Sequence, residues 1–436
     1  MTNLRMLLDE LAKAEAELAD LTSAHARLEA RIDELRREIA TAREVATGNV
    51  IEPISWAATP ATLSVPTTAV EKVSLFRSLF RGRPDVFARL WINQNKGTKG
   101  YAPACANEWV RGVCEKPRVK CGECPNQAFE SFDDRVVHDH LRGRYVVGVY
   151  PLLQDETCWF LAADFDKAGW KEDVAAFTQT CAAFGLRVAV ERSRSGNGAH
   201  AWFFFDAPVA ATRARKMGCY LLTETMARRH ELPMTSYDRL FPNQDTMPRG
   251  GFGNLIALPL QYEAREAGNT VFVDERGQPH PDHWAFLAGH SRVDAARVLE
   301  LAREAGSSGK VVGISRGEPV ADEDAAPWFR SPSRKVSTSR ITEPLPERVS
   351  AVISQQIFVE KQGLPSSLLN QIKRLAAFQN PEFYKKQAMR LSTALTPRII
   401  SCAEDLPDHV GLPRGCMDDL RELLRENSVT LVLEDR

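Results

Sequence analysis

Apolar residues recur at three- and four-residue steps from the start of the chain: Leu4, Leu7, Leu11, Ala14, Leu18, Leu21, His25, Leu28, Ile32, Leu35 and Ile39. This heptad seam, with Leu4 at position a and Leu7 at position d, predicts a coiled coil over residues 1–45 that self-associates or pairs with a partner helix. A single amphipathic helix folded back on the protein would show the same stripe. His25 breaks the seam at an a position, where a polar residue fixes register at some cost in stability. Residues 46–69 carry Gly, Pro and Thr without a period and read as a linker.

Beyond residue 70 the pattern changes to short apolar runs alternating with helical stretches. Strands are predicted at 145–150, 158–163, 187–190 and 201–205, and helices at 171–184, 210–230 and 293–305. Alternation of this kind predicts an α+β catalytic domain over 70–305. Residues 306–346, rich in Gly, Ser, Pro and charge, read as a flexible linker. Residues 347–436 show helical periodicity in several pieces and one strand-like run, Val429-Thr-Leu-Val-Leu433, so a mainly helical C-terminal region is expected.

The chain has 436 residues, 44% hydrophobic and 26% charged, which excludes a disordered or fibrous protein. No apolar run is long enough for a membrane span and no signal-peptide pattern opens the chain, so a cytoplasmic protein is expected. Net charge is −1, but residues 71–120 hold eleven Lys/Arg against four Asp/Glu. That surplus fits either a polyanion footprint or a solvated basic face. Four of the nine cysteines, Cys105, Cys114, Cys121 and Cys124, crowd into twenty residues. Their Cys-x₂-Cys end suits a structural zinc knuckle in a module over about 101–143, with His138 or His140 as an alternative to Cys105. Arg111, Lys116, Arg118 and Lys120 lie around the cluster, with Trp91, Tyr101 and Trp109 nearby. Positive charge with stacking partners suits a strand of nucleic acid, the alternative being that those aromatics belong to the core.

Three further segments carry candidate chemistry. In Trp159-Phe-Leu-Ala-Ala-Asp164-Phe-Asp166 an apolar strand ends in two carboxylates spaced by two, which therefore share a face and can hold a pair of divalent ions. In Glu191-Arg-Ser-Arg-Ser195-Gly-Asn-Gly198-Ala-His200, glycines permit close anion approach, Arg192 and Arg194 supply charge, and His200 opens the next strand. With Ser195, Asn197 and Gly198 this loop reads as a triphosphate cradle. Asp238 and Asp245 are rivals for a third carboxylate, and Arg249 lies in the Gly-rich turn that follows.

Together these segments resemble the archaeo-eukaryotic primase superfamily, and specifically the primase-polymerases of TOTE conflict systems. The ordered motifs are Cys114-Glu-Lys-Pro, Cys121-x-x-Cys124, His140-Leu-x-Gly143, Gly148-Val-Tyr-Pro151, Asp164-Phe-Asp166, Ser195-Gly-x-Gly-x-His200 and Phe241-Pro-Asn-Gln-Asp245, within residues 70–289. The resemblance implies an RRM-like sheet packed beside a second α/β lobe, with Asp164, Asp166 and Asp238 binding catalytic Mg²⁺ or Mn²⁺ and His200 contacting the nucleotide's phosphates. It also implies a DNA-template-dependent nucleotidyltransferase that makes or extends primers from nucleoside triphosphates, in a conflict or defence setting. Segments around Arg374–Tyr384 and Leu412–Cys416 resemble the stretch leading into a helicase in such proteins. No GxxxxGK[ST] phosphate loop occurs, so no helicase or ATPase activity is expected of this chain, and whether a separate helicase is a partner stays open. A nuclease or gap-filling repair polymerase on the same metal site, and a non-catalytic DNA-binding adaptor, are the competing expectations.

Overall fold

The computed structural model describes residues 65–307, 311 and 341–436, all within one unit, Leu63–Arg436. The predicted coiled coil, most of the first linker and most of the second lie outside the described residues.

Helix α1 (Ala69–Leu79) starts at a capping box in which Thr68 and Glu71 each accept from the other's backbone N–H. There follow β1 (Ala88–Asn93), β2 (Thr98–Pro103), α2 (Asp134–Leu141), β3 (Val147–Val149), β4 (Thr157–Phe165), α3 (Trp170–Ala183), β5 (Ala189–Arg192), β6 (Ala199–Ala210), α4 (Ala211–Arg228), β7 (Leu240–Phe241), β8 (Ile256–Ala257) and α5 (Ala295–Ser307). The strands form two antiparallel sheets, ordered β2-β1-β3-β8 and β5-β6-β4-β7.

Strands β4 and β6 are apolar almost throughout because both faces of their sheet are covered. On one face Leu161, Ala163, Ala201, Phe203 and Phe205 share a core with Phe177 of α3, Met217 of α4 and Leu301 of α5. On the other, Phe160, Ala162, Trp202 and Phe204 pack with Phe76 of α1, Val137 of α2, Val147 of β3 and Ile256 of β8. That second core joins the two sheets, and it is the face on which the polar residues of β4 and β6 emerge.

The C-terminal region is not mainly helical, contrary to the expectation from its periodicity. It contains β9 (Arg348–Ile353), β10 (Ile357–Glu360), α6 (Ser366–Leu375), β11 (Ala377–Gln379), α7 (Pro381–Ala388), β12 (Ile399–Ser401), β13 (Glu404–Asp405), β14 (His409–Leu412), α8 (Met417–Glu426) and β15 (Thr430–Asp435). Five strands form a sheet ordered β13-β14-β10-β9-β15, in which β15 runs parallel to β9. Leu368, Leu369 and Ile372 of α6 and Leu420, Leu423 and Leu424 of α8 bury the apolar positions of β9, β10 and β14. These strands are two to six residues long, too short for their two-residue period to compete with the strongly amphipathic helices beside them.

The chain between α7 and β12 returns to the first two sheets. Arg249 N–H donates to the Arg390 carbonyl at 2.8 Å, and Gln244 Nε2 to Thr393 Oγ1 at 2.9 Å. Arg398 N–H donates to Asp238 Oδ1 at 2.9 Å, and the Arg390 guanidinium pairs with Glu156 at 2.9 Å.

Candidate active site

The face of β4 and β6 that joins the two sheets ends in a polar row. Asp164 of β4 stands opposite His200 of β6, which stands opposite Glu191 of β5. Residues paired across a ladder point to the same face, so the three side chains form one line. Glu191 accepts from His200 Nδ1 at 3.0 Å and from Trp202 Nε1 at 2.9 Å, while His200 Nε2 lies 3.7 Å from Asp164 Oδ1. Glu191 is thus the orienting group of His200, fixing its ring and aiming Nε2 at the carboxylates. The sequence pattern gives Glu191 no role, since only strand pairing reveals its position beside His200.

Asp166 lies just past the end of β4, and both Asp164 and Asp166 are reached by one nitrogen of Arg239. Arg239 Nη1 is 3.2 Å from Asp164 Oδ2 and 3.0 Å from Asp166 Oδ2. The two carboxylates therefore lie side by side around a single cation. Burial pushes the Asp164 carboxyl up, with the Asp166 charge adding to it, against the opposing pull of His200 and Arg239. For His200, burial alone would lower the pKa, but Glu191, Asp164 and Asp166 together outweigh it and hold the ring charged to higher pH than an ordinary histidine.

Asp238 is not brought to this pair. Asp164 N–H donates to the Arg239 carbonyl at 2.9 Å, so the short β7 ladder sets Arg239, not Asp238, opposite Asp164. Asp238 ends a 3₁₀ turn, Met234–Asp238, and its carboxylate accepts from the Arg398 amide. Burial raises its pKa against that bond. Asp245, the rival third carboxylate, is held by the buried Arg215 guanidinium, with Nη2 2.7 Å from Oδ2, and by Gln387 Nε2 at 3.0 Å. Burial would raise its carboxyl, but Arg215 overrides this and holds it at about 2. Among the described residues, no three His, Cys, Asp or Glu side chains are drawn together as a metal-ligand set. The donor chemistry of the Asp164–Asp166 pair nonetheless fits a hard divalent cation, whose remaining positions phosphate oxygens would fill.

The Ser193–Gly198 loop lies against the end of β4. A Cβ on Gly198 would sit 2.6 Å from the Phe165 carbonyl oxygen and 3.3 Å from the Asp166 Cα, so only glycine lets the loop meet the carboxylate strand. Gly196 adopts φ +76° within the same turn. Ser195 and Asn197 are exposed, and Ser195 Oγ accepts from Asn197 N–H at 3.2 Å. Arg192 is committed elsewhere: its guanidinium donates to the Gly268 and Gly277 carbonyls at 3.0 and 2.7 Å, pinning a distant turn. Arg194 turns toward the first sheet, where its charge acts on the Tyr101 hydroxyl, and its buried Nη1 has no hydrogen-bond partner. Arg249 is exposed in its turn.

Cys105, Cys114, Cys121 and Cys124 line one small cavity of about 20 Å³, without closing into a ligand set. Neither His138 nor His140 lines it. The His140 ring is buried with Nε2 on the Pro259 carbonyl at 2.9 Å and Nδ1 accepting from Val147 N–H at 3.1 Å, and burial lowers its pKa to about 4. Both ring nitrogens are used, which removes it as the alternative zinc ligand. The Cys-x₂-Cys turn rests on the 249–251 loop so closely that a Cβ on Gly122 would lie 1.6 Å from the Gly250 carbonyl oxygen. Of the basic residues in 71–120, Arg77, Arg83, Arg89, Lys116 and Arg118 are held in ion pairs with Asp134, Asp85, Glu130, Glu108 and Glu115. Trp91 and Trp109 are exposed, and Lys116 Nζ lies 5.8 Å from the Trp109 ring centre.

Residues 71–301 match the family model described as the TOTE conflict system archaeo-eukaryotic primase domain, which is more than half of the chain. The chain belongs to this primase family. Two solved structures are similar over part of this chain. The polymerase domain of Mycobacterium tuberculosis Ligase D, in complex with DNA, is 15% identical, covering 54% of this chain and 86% of that one at a TM-score of 0.28. The archaeo-eukaryotic primase domain of the cyanophage S-2L primase-polymerase is 12% identical, covering 53% of this chain and 94% of that one at a TM-score of 0.22. No curated protein matches. Among the described residues, no helix is long and apolar enough to cross a membrane.

Proposed function

We propose that the protein is a DNA-template-dependent nucleotidyltransferase, a primase-polymerase that makes or extends primers from nucleoside triphosphates. The observation that carries this reading is the row Glu191–His200–Asp164 with Asp166 converging on it, in a chain of this family. In the proposed reaction a 3′-hydroxyl attacks the α-phosphorus of the incoming nucleotide and pyrophosphate leaves. Asp164 and Asp166 would hold Mg²⁺ or Mn²⁺, which when bound supplies charge neutralisation at the attacking and leaving oxygens. His200, its charged form favoured by Glu191, would donate from Nε2 to a phosphate oxygen, and the exposed side chains of Ser195 and Asn197 would line the same phosphates. Asp238 is read as an anchor for the C-terminal region, not as a third ligand, because its Oδ1 accepts from the Arg398 amide and the β7 ladder sets Arg239, not Asp238, opposite Asp164.

The four cysteines are proposed to hold one structural Zn²⁺, since all line a single cavity and no histidine lines it with them. Exposed Trp91 and Trp109 are proposed to stack on template bases. The test incubates purified protein with single-stranded DNA, labelled nucleoside triphosphates and Mn²⁺ without primer, beside an Asp164→Ala/Asp166→Ala control. Template-dependent products that vanish in the control support the reading. Absence of products even with a primer supplied would overturn it in favour of a non-catalytic adaptor.

A further inference from the structure

We propose that Arg239 is a resident counter-ion of the carboxylate pair, displaced by divalent cation and then re-employed on the triphosphate of the bound nucleotide. This rests on the reading of Asp164 and Asp166 as metal ligands.

One guanidinium nitrogen bridges Oδ2 of both aspartates, at 3.2 and 3.0 Å. A cation shared by the two carboxylates would be drawn to the space between them that Arg239 fills, so Arg239 and a shared ion would compete for one place. Two carboxylates side by side repel each other, and the bridging guanidinium offsets that repulsion when no ion is bound. Its backbone is fixed, because the Arg239 carbonyl accepts from the Asp164 amide at 2.9 Å and the next residues form β7. Its side chain is 38% exposed, so the guanidinium can leave the pair without a buried core having to open. On the proposed reading the triphosphate would lie beside His200 and the Ser193–Gly198 loop, where the planar donors of a displaced guanidinium would match it. Competition and re-employment make opposite predictions for metal and for nucleotide, and this separates the role from that of an ordinary structural salt bridge.

The experiment titrates the full chain with Mn²⁺, followed by electron paramagnetic resonance, for the wild type, Arg239→Ala, Arg239→Gln and Asp164→Ala/Asp166→Ala. Titrations run with and without a non-hydrolysable nucleoside triphosphate, and circular dichroism checks the fold. Without nucleotide, Arg239→Ala is expected to bind Mn²⁺ at the aspartate pair about tenfold more tightly, the scale of an ordinary coupling between two ligands. At saturating Mn²⁺ the same variant is expected to bind the nucleotide about tenfold more weakly, having lost a charged hydrogen bond. Arg239→Gln, shorter but polar and neutral, gives the same readout if the alanine variant fails to fold. A folded Arg239 variant that binds Mn²⁺ no more tightly than wild type, or nucleotide no more weakly, overturns the proposal. A wild type without any Mn²⁺ site that depends on Asp164 and Asp166 overturns the underlying metal-site reading as well.

Discussion

Asp245 offers the sharpest separation between a structural and a catalytic carboxylate. Its partner Arg215 is 1% exposed, and the pair is bidentate: Nε engages Oδ1 while Nη2 engages Oδ2 at 2.7 Å. Asp245→Asn keeps the shape but removes the charge, leaving Arg215 buried without its counter-ion. Breaking a buried pair in this way costs about 3–5 kcal/mol. The acid limb gives a smaller figure, since the protonated aspartate still occupies its place. With the carboxyl held at about 2 against an ordinary 3.8, just under two pK units, the ionised form contributes about 2 kcal/mol. Because the folded-state value is depressed, that contribution is complete above about pH 4 and is lost as pH falls through 2. The assay is equilibrium urea unfolding followed by tryptophan fluorescence for wild type, Asp245→Asn, Arg215→Met and the double variant Arg215→Met/Asp245→Leu. Each single change is expected to lower stability by about 3–5 kcal/mol, and the apolar double change to recover most of the loss. If Asp245→Asn leaves the midpoint unmoved but abolishes Mn²⁺ binding at Asp164 and Asp166, Asp245 is a ligand and its structural role is refuted.

Glu191→Gln should remove the main charge holding His200 protonated, so the pH above which nucleotide affinity falls should move downward; binding titrations across about pH 5–9 would read it. Gly198→Ala should push the loop off the Phe165 carbonyl, costing about 1–3 kcal/mol in urea unfolding and raising the nucleotide KM, whereas an unchanged KM would show that the loop does not hold phosphate. Cys121→Ser should abolish stoichiometric zinc in elemental analysis, and wild-type protein purified without zinc would refute the cysteine site directly. Trp109→Ala should weaken single-stranded DNA binding by about 1–3 kcal/mol in fluorescence anisotropy, and equal affinities would dismiss it as a stacking platform.

The strands that carry chemistry are legible in the sequence because their sheet is buried on both faces, which writes long apolar runs such as Trp202-Phe-Phe-Phe205 into the chain. The two-residue period of a strand likewise places Asp164 and Asp166 on one side from their spacing alone. Register is another matter. Asp238 and Arg239 are neighbours, and only the pairing of a two-residue strand, Leu240–Phe241, decides which of them faces Asp164. Arg192 has the place in the loop that a phosphate ligand would have, yet its partners lie 76 and 85 residues away, beyond any local pattern. His140 sits in a motif beside the cysteines but is buried on Pro259 for a reason equally remote in sequence. The C-terminal sheet escapes the periodicity because its strands are brief and its two helices dominate the signal.

The contacts made by residues 387–398 bear on where the folded unit around the site ends. The family match stops at residue 301, but the segment holding Asp238, Gln244 and Arg249 is tied down by Arg398, Thr393 and Arg390. A gene fragment trimmed to the matched block would therefore keep the carboxylate strand and lose the struts of the turn that supplies Arg239. The heritable unit recognised by similarity and the mechanical unit that keeps the site in register are different lengths of chain.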